Sequence, residues 1–208
     1  MKVAIVDYGA GNNSSVCNAL IRAGADPVMA ATPEAVLAAE RLVLPGVGGA
    51  APALERLRSR ALDQALDEAV RKKARPMLGI CLGLQMLADD LLEDGHSRGL
   101  GWIRGKVVDI HEILPPGLRV PHMGWNQVAA NAAAEPFFAE VTGRRDFYFC
   151  HSFALTCYDP STVAATTDYG APVVAAVRQG TVFATQFHPE KSQINGQRLI
   201  EAFLKWAP

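Results

Sequence analysis

The amino-acid sequence predicts an α/β protein with an open, mainly parallel but mixed sheet and helices on both faces. Short apolar strands alternate with helical stretches in the N-terminal part of the chain, and strand, helix, strand order implies parallel neighbours. After Gly95 the helical period fades, and short strands separated by turn residues predict a mixed or antiparallel extension. No repeat, low-complexity segment or long linker divides the chain, so residues 1–208 are expected to form one domain.

The elements of the N-terminal part are predicted from their apolar periodicity. Strands are expected at 2–7, 27–30, 41–44 and 76–80, and an amphipathic helix at 14–25. Pro52 is predicted to start one long helix, because the leucines that follow it keep near-helical spacing as far as Val70. A further helix-forming stretch lies at 82–87.

The C-terminal part is expected to be richer in strands. Short β-branched or aromatic runs bounded by turn residues predict strands at 107–110, 147–149, 163–165, 173–177 and 181–187. A closing helix is predicted at 194–206, with Leu199, Ile200, Phe203 and Leu204 facing the core.

Composition excludes several classes of protein. With 50% hydrophobic and 20% charged residues the chain can bury a sizeable core, so disorder is not expected. The formal net charge is −1, and the basic run at 71–73 is interpreted as the solvated end of a helix, so a nucleic-acid partner is not expected. Gly, Pro or charged residues interrupt every apolar run, so no membrane-spanning segment is predicted.

The cysteine pattern indicates a reducing compartment. Cys17, Cys81, Cys150 and Cys157 are scattered without C-x-x-C spacing, and the sequence shows no signal peptide. Free thiols and a cytoplasmic location are therefore expected, and all but Cys81 are interpreted as structural.

Cys81 stands in a pattern typical of a nucleophile on a sharp turn. The segment GICLG at 79–83 follows an apolar strand and leads into a helix-forming stretch. Such a turn strains the backbone of the nucleophile, and small flanking residues let neighbouring backbone approach it. The partial positive charge of a helix N-terminus also favours thiolate over thiol. A buried, inert cysteine is the alternative for this motif taken alone.

A second motif supplies the base that such a nucleophile needs. His188, Pro189 and Glu190 follow the apolar run at 181–187, and the single intervening proline fixes the relation between imidazole and carboxylate. A carboxylate that orients an imidazole lets the imidazole deprotonate a thiol. Because catalytic groups of open α/β sheets gather at the carboxyl ends of strands, the two motifs together predict a Cys-His-Glu hydrolase.

A glycine-rich loop completes the predicted chemistry. The segment PGVGG at 45–49 follows the third strand, and its backbone N–H groups, together with that of Leu82, can stabilise the oxyanion of a tetrahedral intermediate. A plain strand-to-helix loop is the alternative.

Three patterns that would indicate a cofactor or a metal are incomplete in this sequence. The Gly-x-Gly pattern at 9–11 lacks the third glycine and the acidic residue of a dinucleotide site, and Gly105-Lys106 lacks the rest of a P-loop. The histidines at 96, 111, 122 and 151 lack metal-ligand spacing. Neither a metal nor an organic cofactor is expected.

The combination of motifs resembles the class I glutamine amidotransferase family, whose flavodoxin-like domain hydrolyses glutamine and passes ammonia to a synthase. The resemblance rests on GICLGLQ at 79–85 and HPE at 188–190. Within the family, four segments are similar to the glutaminase subunits of imidazole glycerol phosphate synthases: DYGAGN at 7–12, PGVG at 45–48, PHMGWN at 121–126 and HPEKS at 188–192. The similarity spans nearly the whole chain, and PHMGWN carries the assignment to this subfamily.

The resemblance implies roles for particular residues. Cys81 would be the nucleophile, His188 the general base and then acid, and Glu190 the residue that orients it. Val47 and Gly48 with Leu82 would form the oxyanion site, and glutamine would be held by Gln85, Ser152 and Phe153.

The resemblance also implies a heterodimer with a cyclase subunit, which would receive the ammonia for histidine biosynthesis. The docking face would include Asn12, Met123, Trp125, Asn126 and Lys191, although a core position is the alternative for Trp125. Asn13 and Phe153 depart from the subfamily pattern, which has an apolar residue and commonly Tyr there.

Three other functions stay open at this level. A glutaminase subunit of another amidotransferase pathway would share the triad, and a peptidase-like or deglycase cysteine hydrolase would share the fold. A non-enzymatic interaction protein is the third alternative, against which the intact triad argues.

Overall fold

The predicted mixed α/β architecture is confirmed in the computed structural model, which describes residues 1–208. The chain forms thirteen strands and seven α-helices, which alternate mainly in its N-terminal half. The strands are β1 (Lys2–Val6), β2 (Asp26–Ala30), β3 (Arg41–Gly46), β4 (Met77–Cys81), β5 (Ala88–Leu91), β6 (Ser97–Arg98), β7 (Ile103–Asp109), β8 (His122–Ala130), β9 (Asp146–His151), β10 (Phe153–Cys157), β11 (Val163–Asp168), β12 (Pro172–Gln179) and β13 (Val182–Thr185). The helices are α1 (Asn13–Arg22), α2 (Pro33–Ala38), α3 (Ala50–Ser59), α4 (Leu62–Leu66), α5 (Leu82–Gln85), α6 (Glu135–Phe138) and α7 (Gln193–Lys205).

Nine strands form the main sheet, in the order β2-β1-β3-β4-β13-β12-β11-β8-β9. The strands from β2 to β13 in that order run parallel, and β12, β11, β8 and β9 add to them with antiparallel pairing. The expected antiparallel extension is therefore confirmed. A smaller four-stranded sheet, β10-β7-β5-β6, packs beside α5.

Helices cover both faces of the main sheet. Successive residues of β1 point to opposite faces, as the strand pleat requires, so that Ala4 and Val6 join one core cluster while Val3 and Ile5 join another. The first cluster contains the apolar side chains of α2, α3, α4 and the small sheet, and the second contains those of α1, α6 and α7. No helix has the length and apolar composition needed to cross a bilayer.

The prediction of one long helix from Pro52 is wrong. The helix begins at Ala50 and ends at Ser59, and Ala61 adopts left-handed dihedrals (φ 54°, ψ 23°) before α4 begins. Leu57 and Leu62 are five residues apart, a step that would place them on different faces of one continuous helix. The break returns Leu62 to the core, and a π-helical segment at Asp67–Lys72 follows α4.

Other elements differ from the prediction in extent. The helix after residue 81 ends at Gln85 rather than 87, so a helix macrodipole contributes less to the thiolate than a longer helix would. Sequence periodicity also missed α2, α6 and the strands β5, β6, β8 and β10. These elements are short, or polar on their outer face, and tertiary packing rather than local pattern specifies them.

The parallel register brings three loops to one edge of the sheet. Gly46 at the end of β3 pairs with Cys81 at the end of β4, and Thr185 at the end of β13 pairs with Ile80. The loops that follow β3, β4 and β13 therefore emerge side by side, where open α/β sheets bind their ligands.

Candidate active site

Cys81 lies on a strained turn between β4 and α5. Its backbone has φ 54° and ψ −106°, a combination that lies outside the left-handed region that non-glycine residues occasionally adopt. Strained dihedrals of this kind persist only where the surrounding structure enforces them, and they cluster at functional sites. The side chain is 7% exposed, so the sulfur can be reached only from the cavity described below.

Glycines let the turn pack closely against its neighbours. A Cβ on Gly83 would collide with the carbonyl oxygen of Leu44, and a Cβ on Gly79 would lie 2.8 Å from the Cβ of Ala184. On the adjacent strand, a Cβ on Gly46 would lie 2.6 Å from the Tyr8 hydroxyl. The small residues around Cys81 are therefore required by contacts with β3 and β13.

His188 and Glu190 form a buried pair in the turn after β13. The Nδ1 atom of His188 lies 2.8 Å from Oε1 of Glu190, and their side chains are 3% and 2% exposed. Ser192 braces the turn, because its hydroxyl donates to the His188 carbonyl oxygen (2.6 Å) and accepts the backbone N–H of Tyr148 (3.0 Å). Because Nδ1 is paired with Glu190, the Nε2 atom of His188 is available to interact with the Cys81 thiol.

The electrostatics favour an imidazolium at His188. Burial alone would lower the pKa of His188, but hydrogen bonds to Cys81 and Glu190 and the charges of both groups raise it to about 10. Burial, and then the charge of Cys81, likewise raise the pKa of the Tyr8 hydroxyl, which donates to the Pro45 carbonyl oxygen at 2.9 Å. Near neutral pH, His188 is therefore a charged donor beside the sulfur.

A cavity of about 500 Å³ opens over Cys81 and His188. It contains the three predicted oxyanion residues and the three predicted substrate-binding residues, together with one predicted docking residue. The lining residues are Val47, Gly48, Gly49, Cys81, Leu82, Gln85, Glu93, Pro121, Cys150, His151, Ser152, Phe153, His188 and Lys191. The volume suits an amino acid rather than a macromolecular substrate.

The glycine-rich loop after β3 forms one wall of this cavity. Val47 is 42% exposed, and Gly48 has φ +92°, a conformation that favours glycine. The loop ends where Glu93 Oε2 accepts the backbone N–H of Ala50, the first residue of α3, at 2.6 Å. The loop is thus fixed at its end and conformationally permissive at its centre.

Gln85 and Phe153 are connected directly. The Nε2 atom of Gln85 donates to the carbonyl oxygen of Phe153 (2.9 Å) and to Oε1 of Gln186 (3.1 Å). Gln85 is 6% exposed, so its amide nitrogen is engaged within the protein while the residue still lines the cavity.

Two buried histidines extend this network. His151 Nδ1 lies 2.8 Å from the Phe153 carbonyl oxygen and must therefore carry a hydrogen, which leaves its Nε2 to accept from His122 Nδ1 at 3.0 Å. The amide of Asn126 then donates to His122 Nε2 (3.2 Å). Burial lowers the pKa of each histidine to about 4, so both are neutral at physiological pH.

The residues predicted to dock a partner lie in different settings. Met123 and Trp125 project from the same face of β8 and are 60% and 49% exposed, so Trp125 is not a core residue. Lys191 stacks over the Tyr148 ring (5.8 Å), which in turn contacts Trp125 edge-on (6.1 Å). These aromatic and basic side chains form one surface beside the cavity.

Asn126 and Asn12 have intramolecular roles. Asn126 alternates to the opposite face of β8 from Trp125 and also donates to the Asp168 carbonyl oxygen at 2.8 Å. Asn12 caps α1 through the backbone N–H of Ser15 (3.4 Å). Asn13, one of the two departures from the subfamily pattern, donates its amide to Asp7 Oδ1 at 3.3 Å.

Sequence reasoning missed several residues of the site. Gln186 and Glu93 contact it directly, Tyr148 lies between the triad and Trp125, and Cys150 and His151 line the cavity. Only Gln186 had a signal in the sequence, since a polar residue interrupts the apolar run that leads to His188. Tyr148, Cys150 and His151 reach the site through the sheet pairing of β9, and Glu93 reaches it from the bend after β5.

Comparison with known families agrees with this geometry. The sequence profile of class I glutamine amidotransferases matches residues 4–206. The chain is 44% identical to the imidazole glycerol phosphate synthase subunit HisH of Methylococcus capsulatus, over 99% of this chain and 97% of the relative. It is 45% identical to the subunit HisH of Zymomonas mobilis, over 99% and 96% of the two chains.

Solved structures with low sequence identity share the fold. A crystal structure of a glutamine amidotransferase superposes with a TM-score of 0.76 at 20% identity, covering 98% of this chain and 97% of that one. The structure of PurLQS from Thermotoga maritima gives a TM-score of 0.71 at 18% identity, with the same coverage. These likenesses confirm the fold class predicted from the sequence.

Proposed function

The chain belongs to the class I glutamine amidotransferase family, and from that premise we propose that it is the glutaminase subunit of an imidazole glycerol phosphate synthase. The proposal is that it hydrolyses glutamine to glutamate and ammonia and delivers the ammonia to a cyclase subunit in histidine biosynthesis. Identity of 44% and 45% to subunits HisH over almost the entire chain supports the choice of pathway.

One observation carries the proposed chemistry. The strained Cys81 and His188 line the same amino-acid-sized cavity, and His188 pairs with the buried Glu190 and has its pKa raised to about 10. An imidazolium beside a thiol favours the thiolate, which is the nucleophilic form of cysteine.

In the proposed first half-reaction, the Cys81 thiolate attacks the carboxamide carbon of glutamine. Negative charge develops on the carboxamide oxygen, and backbone N–H groups of the 47–48 loop and Leu82 are proposed to stabilise it. His188 donates its Nε2 proton to the amide nitrogen, the C–N bond breaks, and ammonia leaves. A glutamyl thioester on Cys81 remains.

In the second half-reaction, neutral His188 takes a proton from water as the water oxygen attacks the thioester carbon. The C–S bond then breaks, and glutamate and the Cys81 thiolate are released beside the reprotonated imidazole. Glu190 holds Nδ1 throughout and thereby fixes the imidazole orientation. Gln85, Ser152 and Phe153 are the proposed substrate contacts.

The exposed surface of Met123, Trp125 and Lys191 is the proposed docking face for the cyclase. It adjoins the cavity, because Lys191 also lines the cavity wall. Ammonia released at His188 would therefore leave toward the partner. A cytoplasmic location belongs to the same proposal, and four free cysteines fit such a reducing compartment.

The test measures ammonia release from glutamine by the purified chain, with and without the cognate cyclase and its nucleotide-sugar ligand. The liganded complex is expected to exceed the isolated chain at least ~100-fold, equivalent to ~2.7 kcal/mol of barrier. Glycines around Val47 let the oxyanion loop change orientation at low cost, so that partner contacts can select the productive one.

Cys81→Ala is the matched variant. It should abolish formation of imidazole glycerol phosphate by the complex when glutamine is the nitrogen source. Formation of this product from added ammonium salt should continue, because only the release of ammonia from glutamine needs the thiol. Full glutamine-dependent activity of the variant would refute the role of Cys81. If the isolated chain hydrolysed glutamine as fast as the liganded complex, the proposed gating of the oxyanion loop would be wrong, although the Cys81-His188-Glu190 chemistry would stand.

A further inference from the structure

We propose that the side-chain amide of Gln186 donates a hydrogen bond to the Cys81 thiolate and takes part in the reaction by stabilising that charge. Gln186 follows β13 and is fully buried, and its Nε2 atom lies 3.6 Å from the Cys81 sulfur. The inference rests on the proposed function, because it assumes that Cys81 is the nucleophile. It adds a second donor to the one that His188 supplies.

The orientation of the Gln186 amide follows from its neighbours. A backbone carbonyl oxygen can only accept, so the Gln85 atom beside the Phe153 oxygen must be the NH2 group. The same NH2 group faces Gln186, so the Gln186 atom that it contacts at 3.1 Å must be the carbonyl oxygen. The NH2 group of Gln186 is then the one directed at the sulfur.

The Phe153 carbonyl oxygen anchors this arrangement. It accepts from Gln85 at 2.9 Å and from His151 Nδ1 at 2.8 Å, so both of its lone pairs are engaged. Turning the Gln85 amide, which would also reverse the amide of Gln186, would place the Gln85 oxygen against a carbonyl oxygen inside the protein. Buried acceptors that face each other lose hydrogen bonds that the interior cannot replace.

The other neighbour of the sulfur cannot stabilise a thiolate. The carbonyl oxygen of Cys150 lies 4.0 Å from Cys81 Sγ and can only accept a hydrogen from the protonated thiol. Once the proton has left, Gln186 and His188 are the donors that remain. Hydrogen bonds to charged groups are stronger than those between neutral groups, so the Gln186 amide favours the thiolate over the thiol.

The test replaces the donor while keeping the size of the side chain. Gln186→Glu retains an oxygen that accepts from Gln85 but directs a second acceptor at the sulfur, and Gln186→Met removes the donor. The readout is the rate of Cys81 alkylation by iodoacetamide across pH, followed by peptide mass spectrometry. Cys17 in the same samples serves as the internal reference, since it lies outside the cavity.

Both variants are expected to shift the alkylation profile of Cys81 to higher pH by at least about one unit, equivalent to a tenfold change in thiolate population. With glutamine, kcat should fall by about tenfold or more while KM changes little. Gln179→Glu, the same substitution at an exposed position, should alter neither the alkylation profile nor kcat.

Melting temperatures identify any variant that fails to fold. Gln186→Asn, whose shorter side chain withdraws the amide from the sulfur, then takes its place with the same expected shift.

An unchanged alkylation profile in folded Gln186 variants would overturn the inference. That outcome is distinct from failure of the proposed function, because alkylation needs neither glutamine nor the cyclase. Absence of glutamine hydrolysis in the unaltered complex would refute the function, whereas the alkylation profile would still report on the bond to the sulfur.

Discussion

At the scale of single residues, hydrogen bonds between buried polar side chains organise the site. His188 is held by Glu190 on one nitrogen and faces Cys81 with the other, and its pKa is raised to about 10. His122 and His151 show the opposite behaviour, because burial lowers the pKa of both to about 4. The charged His188 and the neutral His151 therefore line the same cavity.

The neutral pair predicts a pH-dependent stability. An unfolded histidine takes up its proton near pH 6.5, so below that pH the unfolded state binds more protons than the folded state. The free energy of unfolding should fall by roughly 2 kcal/mol per histidine between pH 6.5 and about 5. The contribution of His188 is fully present below pH 6.5 and is lost only as the pH rises toward about 10, so it is constant in this window.

Urea unfolding at the two pH values measures this dependence. The double variant His122→Phe with His151→Leu is the control, because Phe retains the stacking of residue 122 against Phe149 and Tyr169. Its unfolding free energy should vary much less between the two pH values. An equal slope in both proteins would assign the pH dependence to other groups.

At the scale of elements, the break between α3 and α4 illustrates how a local conformation serves packing. Ala61 adopts φ 54° so that Leu62 and Leu66 return to the core after a five-residue step in the apolar pattern. A residue with a Cβ atom is strained in the left-handed region, whereas glycine adopts that region without this strain. The sequence therefore contains a residue that is not optimal for its conformation.

Ala61→Gly should raise the free energy of unfolding by up to about 1 kcal/mol, because relief of the left-handed strain exceeds the added entropy of the unfolded chain. Thermal or urea unfolding measures the change. Ala202→Gly within α7 is the matched control and should lose about 1 kcal/mol, since its backbone is helical. A loss of stability in both variants would contradict the account of the break.

At the scale of the whole molecule, the two core clusters share one sheet. Alternate residues of β1 belong to different clusters, so neither face can lose its packing without exposing part of the same strands. We propose on this ground that residues 1–208 form a single domain and unfold in one cooperative transition. The same sheet presents the candidate active site and the surface around Trp125 on adjacent segments.

Trp125→Ala should weaken binding of the cyclase by about 1 to 3 kcal/mol, because a large exposed aromatic beside a basic residue is a typical interface anchor. The melting temperature of the isolated chain should change little, since the side chain is 49% exposed. Calorimetric titration measures the affinity. Tyr158→Ala, which removes an aromatic that is 57% exposed at the opposite end of β10 from Phe153, should leave it unchanged. Equal losses of affinity in the two variants would remove Trp125 from the docking face.

The fold class, the strands of the parallel half and the motifs around Cys81 and His188 were all predictable from the sequence. These features are local, because strand periodicity and a nucleophile flanked by glycines are readable over a few residues. The same reasoning failed for the helix from Pro52, because it passed over the five-residue step between Leu57 and Leu62, which the left-handed Ala61 accommodates.

The contacts between side chains far apart in the sequence became evident only in the folded structure. Gln186 is 105 residues from Cys81, and His122 is 29 residues from His151, yet each pair is in contact. Glu93 reaches the start of α3 from 43 residues away. Such contacts depend on strand order and register, which arise from the packing of the complete sheet and leave no periodic signal in the chain.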